Sequence, residues 1–348
     1  MKKILIIFTA LFLSSCKDQK INKETSLPST LETPKGMVWV PKKTFIMGAK
    51  KGDRYAMDRE KPGHTVTVDG FFIDITEVTN AQFRTFVEET GYITIAEKPI
   101  DWEALKKDLP PGTTKPADSL LQPGSLVFNK NVNTIVDMNN YSQWWTWKIG
   151  ANWKHPYGPD SSIEGKDNFP VVHVAYQDAL EYCKWANRRL PTEAEWEAAA
   201  QGTHKDAIYT WGNDGSKLTA KANTWQGIFP VDNNSEDGFE YISQVKSYAP
   251  NALGIYDMIG NVWEMTADKY NVNYYKTLNP DNILINPQGA HTYYNPQSPF
   301  TEDQIMKGGS FLCHSSYCAS YRISARMATS KDTGSDHLGF RTVASPTR

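Results

Sequence analysis

The sequence predicts an α+β fold: a single domain with few helices, short strands and long ordered loops. Three observations carry this. First, 23 Gly and 20 Pro among 348 residues interrupt the chain too often for long regular elements. Second, only three segments hold a helical period between a start and a stop signal. Third, aromatic residues reach 12%, with 11 Trp and 17 Tyr, which is enough ring area to give a loop-rich chain a sizeable core. The formal net charge is −2 and no basic block occurs, so there is no electrostatic case for nucleic acid.

The chain opens with a targeting pattern. Lys2 and Lys3 precede an apolar run, Ile4 to Leu13, that is too short to span a bilayer. Leu13-Ser14-Ser15-Cys16 then has the form of a bacterial lipobox, with cleavage before Cys16 and lipid on that cysteine. An ordinary secretory signal with an incidental cysteine is the alternative. Two or three acyl chains give a firm anchor where one is marginal. Residues 1–15 are thus expected to be a lipoprotein signal peptide, 16–35 a polar flexible tether and 36–348 the folded domain. No second apolar run of spanning length follows. The protein is expected outside the cytoplasm, on a membrane through its lipid alone, on the periplasmic or cell-surface side.

Met37–Pro41 and Thr44–Gly48 read as two short strands with a turn between. His64–Val68 alternates polar and apolar residues, as an edge strand does. Phe71–Asp74 reads as another strand. The first helix starts after Thr79, with Gln82 completing a capping box. Val78 and Phe83 are placed to staple it, and Gly91 supplies the stop. A second helix runs through Asp178–Ala186. A third begins at Thr192, with Glu195 completing another capping box and Gly202 ending it. Residues from about 98 to 170 read as irregular. Three Trp within Trp144–Trp147 cannot all face one core, so some line a groove or pack under loops. From 203 onward, loops and short strands are expected again. Loops this long need something to hold them, and metals are a usual answer where disulfides are absent.

Four cysteines occur: Cys16, Cys183, Cys313 and Cys318. With lipid on Cys16, three remain, and an odd count leaves at least one thiol outside any bridge. The separation of Cys313 and Cys318 permits a local disulfide. It equally permits two thiolates that hold one soft metal ion, Cu(I) above all.

Three segments bear on that choice. They are Arg189-Leu190-Pro191-Thr192-Glu193-Ala194-Glu195-Trp196-Glu197, Gly254–Glu264, and Lys307–Leu312 with a later Gly339-Phe340-Arg341. Together they resemble the formylglycine-generating enzyme, or sulfatase-modifying factor, family over roughly residues 37 to 345. The resemblance implies that family's C-type-lectin-like fold. Gly308–Cys318, with two cysteines after Gly-Gly-Ser, is similar to the catalytic members. Asn223–Gly227, Glu236–Phe239 and Gly150–Pro156 are too.

The resemblance implies an oxidase that converts a sulfatase cysteine, in a Cys-x-Pro-x-Arg segment, to formylglycine. Cys313 and Cys318 would bind Cu(I), the substrate cysteine would join as a third sulfur ligand, and molecular oxygen and a thiol reductant would be consumed. Ser310 and Tyr317 would line the pocket and Trp263 would shape its oxygen side. His314 flanks the pair, but in the family only sulfur binds the copper. Calcium is the second implied cofactor. Asn223, Thr224, Asp237 and Phe239 match one site, and Asp257, Gly260, Val262 and Glu264 match another. All offer the hard oxygen donors calcium takes. Cys183 is expected to be a buried free thiol, because Ile323 and Thr342 stand where partner cysteines of some relatives would fall. The stretch Pro280–Gln304 is longer than in some relatives and puts substrate preference in question. A monomer acting on unfolded sulfatase is the implied assembly.

Three other readings compete. One is a non-catalytic surface binding lipoprotein of the same fold. Another is a gliding or secretion scaffold, whose members as a rule lack the two cysteines. The third is an iron oxygenase that forms carbon–sulfur bonds. That class needs a helical domain with a His-rich motif, whereas the seven His here are scattered.

Overall fold

The structure, a computed structural model, describes residues 31–346. The signal peptide, Cys16 and most of the tether lie outside the described residues. Strand β1 (Met37–Val40) is followed by β2 (Lys43–Met47), β3 (His64–Val68) and β4 (Phe71–Asp74). β1 and β2 do not pair with each other. β1 lies antiparallel to β4, and β2 antiparallel to β3. The short link between β1 and β2 therefore joins two sheets.

Helix α1 (Asn80–Thr90) begins where its cap sets it. The Gln82 amide donates to Thr79 Oγ1 at 3.3 Å, and the Thr79 amide donates to Gln82 Oε1 at 2.8 Å. Gly91 closes the helix in the left-handed region at φ 67°, where a side chain would be strained. The stretch from 98 to 170 is more ordered than its composition suggests. It holds a four-residue turn of helix, α2 (Trp102–Leu105), and an antiparallel pair, β5 (Gly124–Phe128) with β6 (Trp145–Ile149). Of the neighbouring tryptophans, Trp144 is fully buried while Trp145 and Trp147 are half-buried on β6.

Helix α3 (Tyr176–Trp185) has Ala175 at its cap, and the box is half made: Asp178 Oδ2 accepts the Ala175 amide at 2.8 Å. Helix α4 (Glu193–Gln201) has both halves, with Thr192 Oγ1 accepting from the Glu195 amide and Glu195 Oε2 from the Thr192 amide. The remaining strands are short. β7 (Gly227–Ile228) pairs with β8 (Asp232–Asn233). β9 (Trp263–Lys269) is the longest, and β10 (Leu284–Ile285), β11 (Asp303–Lys307), β12 (Met327–Ser330), β13 (Leu338–Gly339) and β14 (Val343–Ala344) follow.

The larger sheets run in the orders β1-β4-β14, β10-β3-β2 and β12-β11-β9-β13. His64–Val68 is thus a central strand, not an edge strand. The stretch Pro280–Gln304 is responsible, because it supplies β10, which runs parallel to β3. The alternating pattern reflects one polar face at Thr65 rather than an open edge.

The core has two parts. In the larger, Phe83 and Phe86 of α1 meet Tyr182 of α3 at 6.0 and 5.6 Å between ring centroids, and Trp153 meets Phe83 at 5.2 Å. Helix α4 packs against β2, β3, β9 and β11 and buries Trp196 completely. The smaller part gathers Phe128, Trp144, Trp225, Phe229, Phe311 and Leu312. The loops are pinned by buried charge as well. Arg322 grips both Glu60 carboxylate oxygens at 2.7 Å and Asp53 at 2.7 Å, while Lys307 donates to Glu197 at 2.9 Å. Removing one partner of such a pair leaves an uncompensated buried charge, at a cost of roughly 3–5 kcal/mol.

The contribution of α1 divides between packing and capping. Phe83→Ala is expected to lower the unfolding free energy by about 3–5 kcal/mol and Thr79→Ala by about 1 kcal/mol. Urea titrations of the two variants check the ordering, and equal losses contradict it.

Candidate active site

β11 leads into the site. Gly308 and Gly309 follow it with φ of 92° and 74°. A Cβ on Gly309 would lie 2.9 Å from the Tyr321 amide nitrogen, so only glycine lets this loop press against residues 320–321. The Gly260 amide donates to the Gly308 carbonyl, and the Phe311 amide to the Asn261 carbonyl. Next, the His314 carbonyl accepts from the amides of Tyr317, Cys318 and Ala319 at 3.0–3.1 Å. This curl folds the five-residue separation back on itself. The Sγ atoms of Cys313 and Cys318 end 2.6 Å apart, both buried and neither in a disulfide.

Burial pushes the Cys313 thiol well above its ordinary value. Cys318 is equally enclosed, yet it is drawn below its ordinary value: against the upward push of burial, it gains the hydrogen bond shared with Cys313 and those of Ser320. One sulfur of the pair is therefore the readier thiolate. The donor set suits a soft ion.

Aromatic rings wall the pair. Tyr317 stacks on Phe229 at 4.6 Å and meets Trp144 edge-on at 5.8 Å and Tyr141 at 6.2 Å. Burial raises the Tyr317 hydroxyl above its usual range, so it stays protonated. Trp263, at the start of β9, is buried in the core cluster that also holds Cys313 and Cys318. Ser310 is fully buried. Its amide lies 3.4 Å from Cys313 Sγ, and its Oγ accepts from the Leu312 amide at 3.2 Å. His314 faces away, with Nδ1 2.8 Å from Ser316 Oγ.

The two predicted calcium sites differ in character. At the first, Asn223 Oδ1 is buried with no hydrogen-bond partner, an acceptor that a cation would satisfy. Asp237 stands beside Thr224, accepting its amide at 2.9 Å, and burial raises the Asp237 carboxyl. At the second, both Glu264 oxygens are taken by Arg341 at 2.6 Å each, and Oε2 also accepts from Trp196 Nε1. Burial raises Asp257 to about 6. Glu77, to which no motif pointed, is fully buried with Oε2 unpartnered, and its carboxyl is pushed well up, first by burial and then by Asp257. Three carboxyls thus face one guanidinium, and a divalent cation would balance the excess. Among the described residues no three His, Cys, Asp or Glu side chains form a ready cage, so carbonyls would have to complete each site: those of Thr224 and Phe239 at the first, those of Gly260 and Val262 at the second. Glu77 was invisible in the sequence because it lies 180 residues from Asp257 in the chain and no local pattern marks it.

Cys183 is free and buried, its thiol pushed up to about 12 by burial, as expected. The hydrogen bonds of the 280–304 stretch run to Thr67 on β3 and to Tyr270 and Val272 after β9.

The family described as "Sulfatase-modifying factor enzyme 1-like domain" matches residues 23–346. The chain belongs to this family. The formylglycine-generating enzyme of Mycobacterium tuberculosis is 42% identical over 314 residues, covering 89% of this chain and 98% of that protein. The enzyme of the same name from Thermomonospora curvata is 40% identical over 322 residues, covering 91% and 96%. The chain is also similar to a Bos taurus protein named inactive C-alpha-formylglycine-generating enzyme 2, 36% identical over 308 residues and covering 88% of this chain and 86% of that protein. Among solved structures, PvdO from Pseudomonas aeruginosa shares the fold, with a TM-score of 0.60 at 21% identity, covering 92% of this chain and 99% of that one.

Asp336 lies against β5. It is fully enclosed, accepts the Phe128 amide at 2.9 Å, and burial raises it to about 7. Its folded value lies above the unfolded one, so folding takes up a proton. This group then makes stability fall as pH rises from about 4 to 7. Asp336→Asn keeps an acceptor for Phe128 and removes that fall. The difference in unfolding free energy between pH 5 and pH 8 should shrink in the variant by about 2–3 kcal/mol. An unchanged difference contradicts the assignment.

Proposed function

We propose that this protein is a copper-dependent formylglycine-generating enzyme. It would oxidise the cysteine of a Cys-x-Pro-x-Arg segment in an unfolded sulfatase. The observation that carries this reading is the sulfur pair: two free cysteines, buried side by side beneath an aromatic wall. A binding module has no need of two unbridged thiols held in contact.

Copper(I), held by Cys313 and Cys318, would supply the reaction with molecular oxygen that removes hydrogen from the substrate's β-carbon. This chain's own groups do the remaining work. Cys313 and Cys318, their sulfurs in contact, would together present the two soft donors. Tyr317 stacked on Phe229 excludes water from the sulfurs. Ser310 donates its amide toward Cys313 Sγ at 3.4 Å, and its buried hydroxyl would meet an arriving thiol. In balance, R–CH₂SH, oxygen and two hydrogens from a thiol reductant give R–CHO, hydrogen sulfide and water. The thioaldehyde made by oxidation is hydrolysed to the aldehyde.

Two calcium ions would hold the loops beneath. Asn223, Thr224, Asp237 and Phe239 would bind one, and Asp257, Gly260, Val262 and Glu264 the other. We further infer an exported, lipid-anchored monomer, with Cys16 carrying the lipid. The Leu13–Cys16 motif supports this.

The decisive assay incubates copper-loaded protein with a Cys-Thr-Pro-Ser-Arg peptide in air and a thiol reductant, and mass spectrometry reads the cysteine-to-aldehyde mass loss. Conversion should need copper and oxygen, and should be abolished by Cys313→Ala or Cys318→Ala. Folded, copper-loaded protein that leaves this peptide and a sulfatase-derived one untouched would instead be a binding or scaffold lipoprotein.

Calcium has its own test. Chelation should lower the melting temperature of wild-type protein, with about 2.7 kcal/mol lost from a site occupied at a hundredfold excess over Kd. Asp237→Asn should shrink that shift. Melting that ignores the chelator rules the ions out.

A further inference from the structure

The loop carrying Ser310 and the strand carrying Trp263 meet at one residue that no sequence motif marks. His337 immediately precedes β13. Its carbonyl accepts from the Trp263 amide at 2.8 Å, and its Nδ1 lies 3.0 Å from Ser310 Oγ. The imidazole is held between rings, 4.8 Å from Trp145 and 6.4 Å from Phe311 between centroids. β13 pairs with β9, Leu338 opposite Trp263, so the position of His337 is set by the sheet rather than by a free loop. Packing alone would require only a flat ring at this place. It does not require a ring nitrogen within hydrogen-bond distance of the Ser310 hydroxyl.

We propose that His337 is a positioning residue for the oxidation: the Ser310 hydroxyl donates its hydrogen to His337 Nδ1. A serine hydroxyl has one hydrogen and two lone pairs. The Leu312 amide occupies one lone pair at 3.2 Å, and His337 then takes the hydrogen. One acceptor position remains on Ser310 Oγ, on the residue whose amide lies 3.4 Å from Cys313 Sγ, to receive the thiol hydrogen of a cysteine arriving at the sulfur pair. Without His337 the hydroxyl could rotate and present its own hydrogen to that thiol. The arrangement needs an uncharged imidazole with a bare Nδ1, and burial supports this by holding His337 well below its usual value, with His173 adding to the effect. The inference rests on the oxidase reading above.

Two measurements decide it. The first is ¹⁵N NMR of the histidine rings, which needs no copper and no turnover. In wild-type protein, His337 should carry its proton on Nε2 and a hydrogen-bonded, bare Nδ1. Ser310→Ala should move the Nδ1 resonance toward that of a free acceptor nitrogen. A proton on Nδ1, or a resonance blind to Ser310→Ala, overturns the proposal.

The second is a kinetic cycle on the peptide. His337→Leu should lower kcat about tenfold or more, with KM within about twofold and little change in urea unfolding. His337→Asn, whose amide oxygen can accept the same hydrogen, should recover most of the rate. In the Ser310→Ala background, His337→Leu should cause no further loss, because the two residues act as one unit. Equal losses in both backgrounds show a merely structural role and overturn the proposal alone. Wild-type protein that never converts the peptide overturns the oxidase reading and this role with it.

Discussion

Arg341 is the tie on which the rest of the structure depends. Its guanidinium is wholly enclosed, gripping Glu264 on β9 through two 2.6 Å hydrogen bonds and reaching the carbonyls of Asp74 at the end of β4 and Tyr256 before the Gly260 turn. Glu264 in turn receives Trp196 of α4. One buried ion pair thus joins two sheets, a helix and a loop. Such a pair adds little net stability over an apolar substitute. It does bring these segments together, since the guanidinium takes its partners from each of them. In a chain with so little regular structure, that specificity matters more than the energy.

The site hangs from this tie. β9 begins at Trp263, one residue before Glu264. β13 pairs with Trp263, and β11 pairs with Glu264 through Lys307. The loop from Gly308 to Cys318 therefore starts from a strand whose register the ion pair sets. Lys307 is pinned separately to Glu193 and Glu197 on α4. The sulfur pair is held at the rim of a rigid frame, and its own curl needs only the His314 carbonyl and the two glycines. In the proposed reaction, rigidity at this point would help bring a substrate thiol to the sulfur pair.

Polar groups at the frame are not all balanced within the protein. Asn223 Oδ1 and Glu77 Oε2 are buried without partners, and burial raises Asp237 and Asp257. An unpaired buried acceptor costs about 1–3 kcal/mol. These acceptors are the observations on which the calcium proposal rests. The buried arginines and lysine account for part of what holds the long loops. With the cysteines of the described residues all free, that role would otherwise fall to metal ions alone.

The sequence by itself determined the local features of this protein. Thr79, Gln82, Thr192 and Glu195 specify helix starts because capping is satisfied within four residues of chain. The Gly-Gly-Ser run with two cysteines was legible as the candidate site through the family resemblance, since the spacing alone equally permits a disulfide. The tertiary structure decided whatever depends on distant partners. His64–Val68 became a central strand only because a segment more than 200 residues later supplied β10. The β5–β6 pair escaped notice because its strands are 16 residues apart and one face is neither clearly polar nor apolar. Glu77 and His337 joined the site through sheet register and buried charge, which no window along the chain contains. Hydrogen bonds between neighbours are legible in the order of residues; electrostatic and packing partners are chosen by the fold.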